Sequence, residues 1–196
     1  MKIIRDEHLV SVGTFSKSNE CAEIQKELVN AINAVTSNER SYFIINPVRR
    51  GNGVVPIKSK FIAKLKTFGW EDEVSMSLAK GMNPGPIDVV KTTKLGKYAV
   101  EWETGNISSS HRALNKIAVG IIQGEIIGGT LILPVKLLAK YLTDRIGNYE
   151  EIAPYFPLYQ NLHLMDGFIS VIGIQHDGES DQVPLIPKGK DGNAKK

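Results

Sequence analysis

Asp88, Glu101 and Glu103 are the residues whose types and spacing point most directly to chemistry. The β-branched run Ile87-Asp88-Val89-Val90 and the segment Tyr98-Ala99-Val100-Glu101-Trp102-Glu103 read as the two strands of a β-hairpin, joined through Lys94-Leu95-Gly96-Lys97. Strand alternation puts Glu101 and Glu103 on one face, with Cα atoms about 6.5–7 Å apart. A turn about Leu95-Gly96 sets Asp88 across from Glu103, to within about two residues, at a strand spacing of about 5 Å. Three acids are therefore expected on one face. Carboxylates that close repel unless a cation sits between them, and hard oxygen donors with no His or Cys nearby suit Mg²⁺. Spacing alone leaves a second reading open, in which Glu101 and Glu103 line the solvated face of an edge strand and Asp88 caps the loop after Gly85-Pro86. Acids facing acids across a strand pair are destabilising, so the arrangement calls for a compensating ligand or role.

The elements that must hold these acids are legible as alternating periodicities. Ile24, Leu28, Ala31, Ile32 and Val35 predict an amphipathic helix over 18–36, followed by the apolar Tyr42-Phe43-Ile44-Ile45. Pro56 suits a first helical turn; Ile57, Phe61, Leu65 and Phe68 continue that helix to Gly69, and its other face carries Lys58, Lys60, Lys64 and Lys66. Leu114, Ile117, Ala118 and Ile121 mark a helix over 109–123, and Ile126 to Leu133 reads as a buried strand. A further helix is expected from Pro134 to just before Gly147, placing Asp144-Arg145 at its C-terminus. Phe168 to Ile174 is another apolar strand, and the chain closes with Pro184-Leu185-Ile186-Pro187 and a polar Gly/Lys tail. The alternation predicts an α/β fold, a β-sheet flanked by helices.

Length and composition bound the answer. A chain of 196 residues with 42% apolar and 23% charged residues fits a single globular domain over 1–196 and excludes disordered, collagen-like and coiled-coil classes. With 24 Lys+Arg against 21 Asp+Glu the formal charge is only +3, so charge distribution matters more than its sum. Arg49, Arg50, Lys58, Lys60, Lys64 and Lys66 fall in a stretch without acids, and Lys188, Lys190, Lys195 and Lys196 make residues 188–196 a basic, flexible arm. Each run either faces phosphates or is a solvated surface. One cysteine, Cys21, leaves no internal disulfide, reads as a core thiol and fits a reducing cytoplasm. Charge interrupts the N-terminus before any apolar signal region, and Gln123, Glu125, Pro134 and several glycines break the apolar stretch 117–135, so neither a leader nor a membrane span is expected.

The blocks Gly85-Pro86-Ile87-Asp88-Val89, Glu101-Trp102-Glu103-Thr104-Gly105-Asn106-Ile107-Ser108-Ser109 and Tyr141-Leu142-Thr143-Asp144-Arg145 closely resemble the BamHI-like type II restriction endonucleases, within the PD-(D/E)xK nuclease group. The resemblance is nearly colinear from Gly51 to Gly189, and residues 1–45 are much less similar. It implies a restriction-endonuclease-like central mixed sheet flanked by helices. In that group Asp88 corresponds to the motif aspartate and Glu101 to its (D/E), while Glu103 stands where the motif has lysine. A glutamate there either accepts a proton from water or holds a second cation. An upstream glutamate completes the catalytic group; Glu73 matches by its spacing from Trp70, with Glu71 as the alternative.

The resemblance also implies how DNA would be read. Asn106, Ser108, Arg112, Asp144 and Arg145 become base-reading or DNA-contacting residues, Lys58 a further DNA contact, and Lys188 and Lys190 part of a minor-groove or phosphate-contacting arm. In the major groove arginine pairs with guanine, aspartate accepts from cytosine N4 and asparagine matches adenine, as a G·C-rich site with a central A·T step demands. The implied target is the palindrome GGATCC, and a palindrome calls for a homodimer with one acidic cluster per strand. Ile122, Gln123, Pro157 and Gln160 on the implied interface helices make that contact less ionic than in the family.

The reading that results is a Mg²⁺-dependent type II restriction endonuclease acting on duplex DNA in the cytoplasm. A non-catalytic DNA-binding dimer on the same scaffold, its carboxylates only holding structure, is the alternative, and metal-dependent plasmid cleavage separates the two. Glycoside hydrolysis by paired acids lacks a sugar-stacking cleft, since only Trp70 and Trp102 are available. No glycine-rich phosphate loop, zinc spacing or Ser-His-Asp order occurs, so no nucleotide cofactor is expected, and His8, His111, His163 and His176 are scattered.

Overall fold

The computed structural model describes residues 1–37, 40–75 and 85–188. In chain order these form β1 (Lys2–Val12), α1 (Asn19–Asn33), β2 (Ile44–Ile45), α2 (Val55–Lys66), β3 (Glu71–Val74), β4 (Ile87–Thr92), β5 (Lys97–Trp102), α3 (Ile107–Ile122), β6 (Gly128–Pro134), α4 (Lys136–Ala139), α5 (Tyr149–Ile152), α6 (Phe156–Gln160), β7 (Gly167–Gln175) and β8 (Gly178–Glu179). Six strands make one sheet in the order β1-β7-β6-β5-β4-β3, and β2 and β8 form a small parallel pair. The central pairs β5–β6 and β6–β7 are parallel, while β1–β7, β4–β5 and β3–β4 are antiparallel. The expected mixed sheet flanked by helices is what the chain forms.

The middle strands β6 and β7 are buried on both faces, which explains why each reads as an unbroken apolar run. One core joins Ile24, Leu28, Phe61 and Leu65 of α1 and α2 to Val89, Val100, Trp102 and Ile172; the other joins Leu114, Ile117 and Ile121 of α3 to Val90, Ala99, Leu131 and Val171. Cys21 is buried in the first core. Helix α3 lies so close to β6 that a Cβ at Gly129 would sit 2.7 Å from Ile117.

The structure departs from the sequence reading in four places. Strand β1 was not anticipated: Lys2, Arg5, Asp6 and Glu7 make it look polar, and register shifts at Ile3/Arg5 and His8/Val10 break its alternation. Strand β3 (Glu-Asp-Glu-Val) has almost no apolar content and owes its form to pairing with β4. The hairpin turn centres on Lys94-Leu95 rather than Leu95-Gly96, because Thr93 closes it: Thr93 N donates to Gly96 O at 3.0 Å, and Leu95 N and Gly96 N donate to Thr93 Oγ1. The register moves by two residues, with Val89 opposite Val100, which leaves side chains on their expected faces.

The fourth departure concerns the helix after Pro134, which ends at Ala139 instead of reaching Gly147. Backbone and side-chain donors from the 50–52 segment capture its next carbonyls: Arg50 N donates to Lys140 O at 2.9 Å, and Asn52 N and Nδ2 both donate to Tyr141 O at 3.0 Å. Asn52 is fully buried and also accepts from Ile186 N, so it ties the 140–142 turn to the C-terminal segment. Asp144 and Arg145 consequently lie in an irregular loop, not at a helix end.

Candidate active site at the end of the hairpin

The hairpin acids gather at one end of the sheet, in a cavity of about 230 Å³ whose lining includes Asp88, Glu101, Glu103, Lys58, Arg112 and Lys116. Asp88 and Glu101 leave neighbouring strands at the level set by the Val89–Val100 pair, and Glu103 follows just beyond β5. Helix α3 supplies Ser109, Arg112 and Lys116 from one face, since positions three to four apart along a helix are neighbours. Lys58 arrives from α2.

Each acid is held by identifiable donors. Asp88 Oδ1 pairs with Lys58 Nζ at 2.6 Å, and its Oδ2 accepts from Trp102 N at 2.8 Å. Glu101 is buried, with Oε1 2.5 Å from Lys116 Nζ, and that ammonium also donates to Pro86 O at 3.0 Å. Glu103 Oε1 accepts from Gly105 N at 2.7 Å. Burial, reinforced by the charge of Asp88, pushes Glu101 up to about 7 against the opposing pull of Lys116. Burial likewise raises Glu103, opposed by the Gly105 amide.

The repulsion expected among these acids is therefore met by two lysines. Lys116 was not singled out from the sequence, although Ser109, Arg112 and Lys116 recur at helical spacing and that face could have been noticed. Among the described residues no three acidic, His or Cys side chains converge into a ready-made cation cage. The donor set is nevertheless all carboxylate oxygen around a polar cavity, with elevated proton affinity at Glu101 and Glu103, which is the chemistry a hard divalent cation relieves.

The upstream glutamates sit apart from this lining. The flanking pairs Asp72–Val89 and Val74–Ile87 put Glu73 level with Asp88 on the neighbouring strand, whereas Glu71 pairs with Val90 deeper in the sheet. Glu73 is exposed and has a left-handed backbone, φ 52°, unusual for a non-glycine residue.

Of the residues expected to meet DNA, Lys58 and Arg112 line the cavity. Asn106 is the N-cap of α3, its Oδ1 accepting from Ser109 N at 3.1 Å, and Ser108 is exposed on the first turn. Arg112 is exposed, with Nη2 3.5 Å from Ser109 Oγ. Asp144 and Arg145 are both exposed; Arg50 Nε lies 3.1 Å from Asp144 Oδ1, and Arg145 has φ 63°. Arg50, read from sequence only as part of a basic stretch, is thus the residue that steadies Asp144. Lys188 Nζ reaches the carbonyl of Arg50, while Lys190 and the rest of the basic arm lie outside the described residues.

An acidic hairpin end in a mixed sheet sandwiched by helices is the arrangement of a restriction endonuclease. The solved structures support the fold: restriction endonuclease BglII complexed with a DNA 16-mer superposes with TM-score 0.60 at 13% identity, covering 90% of this chain and 79% of that one. Free BglII gives TM-score 0.58 at 12% identity, covering 90% and 81%. The family model described as restriction endonuclease BamHI matches residues 1–193. Type II restriction enzyme OkrAI of Oceanobacter kriegii is 45% identical over 195 residues, 99% of each chain, and type II restriction enzyme BamHI of Bacillus amyloliquefaciens is 39% identical over 181 residues, 89% of this chain and 82% of that one. The chain belongs to the BamHI family of type II restriction endonucleases. The family match extends through residues 1–45, where the motif resemblance is weaker.

Proposed function

We propose that the protein acts as one domain, as a homodimer, cleaving both strands of duplex DNA at GGATCC in a reaction that requires Mg²⁺. The observation that carries this reading is the single cavity in which Asp88, Glu101 and Glu103 face Lys58, Arg112 and Lys116 in a member of this family. Asp88 and Glu101, with Glu73 from the neighbouring strand, are assigned to hold the cation. Bound there, the cation would supply positive charge to the phosphate oxygens and acidify the attacking water.

Glu103 is assigned as general base. Its raised proton affinity, set by burial, suits a group that must accept a proton near neutral pH. The water oxygen forms a bond to phosphorus, one P–O ester bond breaks in line with it, the water's proton passes to the Glu103 carboxylate, and the leaving alkoxide takes a proton from solvent. Gly105 N fixes Glu103 Oε1, which leaves the other carboxylate oxygen to address the water.

Asn106, Ser108, Arg112, Asp144 and Arg145 are assigned to the bases and their flanking backbone, and Lys58, Lys188 and Lys190 to phosphates. The left-handed turn at Arg145 and the Arg50 contact to Asp144 support two adjacent side chains presented together, as reading one G·C pair requires. Exposed apolar Ile122 on α3 and Leu158 on α6, 60% and 67% accessible, support a partner surface there, and the Tyr159 hydroxyl bonded to Asn115 at 2.8 Å locks the two helices together. The buried free thiol of Cys21 fits a reducing cytoplasm.

Digestion of a defined plasmid tests the reading: cuts at GGATCC with Mg²⁺, none with EDTA, and a dimer by sedimentation. Sequence-specific binding without cleavage in Mg²⁺ would refute the catalytic assignment.

A further inference from the structure

The two lysines in the acidic cavity are not equivalent. The Lys116 side chain is only 7% exposed and its ammonium is shared between Glu101 and the Pro86 carbonyl, so it is a fixed part of the wall. The Lys58 side chain is 32% exposed, lines the cavity and ends on Asp88 Oδ1 at 2.6 Å. It enters from α2, which packs on the face of the sheet opposite α3.

The same charge that stabilises Asp88 obstructs the proposed chemistry, because the oxygen that a cation needs is already occupied by an ammonium. The only charges that the hairpin carries into the cavity are acidic, so positive charge beside an incoming phosphate has to come from neighbouring elements. Arg112 is one source. Lys58, a compact charge on a flexible four-carbon stem, is the other, and its field already reaches Glu103 as well as Asp88.

We propose that Lys58 is a catalytic residue with two stations: before a cation binds it is the counterion of Asp88, and when a divalent cation takes that carboxylate its ammonium moves to a non-bridging oxygen of the scissile phosphate. No proton is transferred in the exchange. This assignment rests on the metal-dependent cleavage proposed above and adds the group that balances Asp88 before a cation binds.

Three measurements on full-length wild type, Lys58→Met and Lys58→Arg test it: Mn²⁺ titrated into the DNA-free protein, binding of cognate duplex in EDTA, and single-turnover cleavage in Mg²⁺ at saturating protein. Lys58→Met is expected to bind Mn²⁺ at least about fivefold more tightly, because a competing cation has been removed. Its cleavage rate should fall about 10²-fold, as for loss of a charged group from a transition state, with duplex binding weakened no more than about tenfold. Lys58→Arg should keep Mn²⁺ affinity near wild type and recover part of the rate. Unchanged Mn²⁺ affinity in Lys58→Met overturns the counterion role, and a loss confined to duplex binding overturns the catalytic one. A wild type that neither binds Mn²⁺ nor cleaves would overturn the nuclease reading as well, a result distinct from a Lys58→Met variant that matches an active wild type.

Discussion

Gly147 N donates to Gly105 O at 2.8 Å, and Gly105 N in turn donates to Glu103 Oε1 at 2.7 Å. One residue, Gly105, thus links the loop that carries Asp144 and Arg145 to the carboxylate assigned as base. Both glycines are needed for close approach: a Cβ at Gly147 would lie 2.8 Å from the Ile107 backbone, and one at Gly105 would lie 2.8 Å from Glu103 Oε1. Gly147→Ala is expected to slow single-turnover cleavage about tenfold or more while weakening cognate binding less. Equal losses in rate and affinity would argue against a link through Gly105.

Asp88→Asn and Glu101→Gln should each abolish cleavage in Mg²⁺ while duplex binding survives or tightens, because negative charge is removed from beside the phosphate. Filter binding and plasmid digestion on the same preparations check both halves. Normal turnover by either variant would remove that carboxylate from the proposed cation site.

Arg145→Ala should lower discrimination between GGATCC and single-base variants by about 1–3 kcal/mol for each lost bidentate contact. Competition binding against a set of altered duplexes measures this. Wild-type preference in the variant would exclude Arg145 from base reading.

Lys116→Met should destabilise the protein by up to about 3 kcal/mol, since breaking a buried pair leaves Glu101 either charged without its partner or obliged to take up a proton. Adding Glu101→Gln should recover much of that loss. Urea unfolding of the two single variants and the double variant gives the coupling, and additive losses would mean that the pair does not act as a unit.

The raised proton affinity of Glu101 also has a signature in stability. Its folded value of about 7 exceeds its ordinary 4.5, so between those limits the folded state binds more protons than the unfolded one. The contribution of this residue to stability is therefore greatest below pH 4.5 and is lost as pH rises through about 7. Without divalent cations, Glu101→Gln should show a flatter fall in stability over that window than the wild type. Parallel curves for the two proteins would contradict the shift.

What the sequence determined by itself were the features written in local periodicity. The apolar stripes of α1, α2 and α3, the continuous runs of β6 and β7 and the existence, though not the register, of the β4–β5 hairpin follow from side-chain patterning within a few residues, and with them the common face of Glu101 and Glu103. Tertiary structure decided what patterning cannot encode. The charged segment Lys2–Val12 becomes a strand because β7 offers it an edge, and Glu71–Val74 becomes one because β4 does. The helix after Pro134 stops at Ala139 because Arg50 and Asn52 claim the carbonyls of Lys140 and Tyr141, which moves Asp144 and Arg145 into a loop. The charge balance of the cavity likewise depends on Lys58 and Lys116, brought to Asp88 and Glu101 from opposite faces of the sheet. A backbone group bonds to whichever donor packing brings within reach, and an ion pair forms wherever two charges share a low-dielectric pocket; both depend on distances in space that spacing along the chain does not contain.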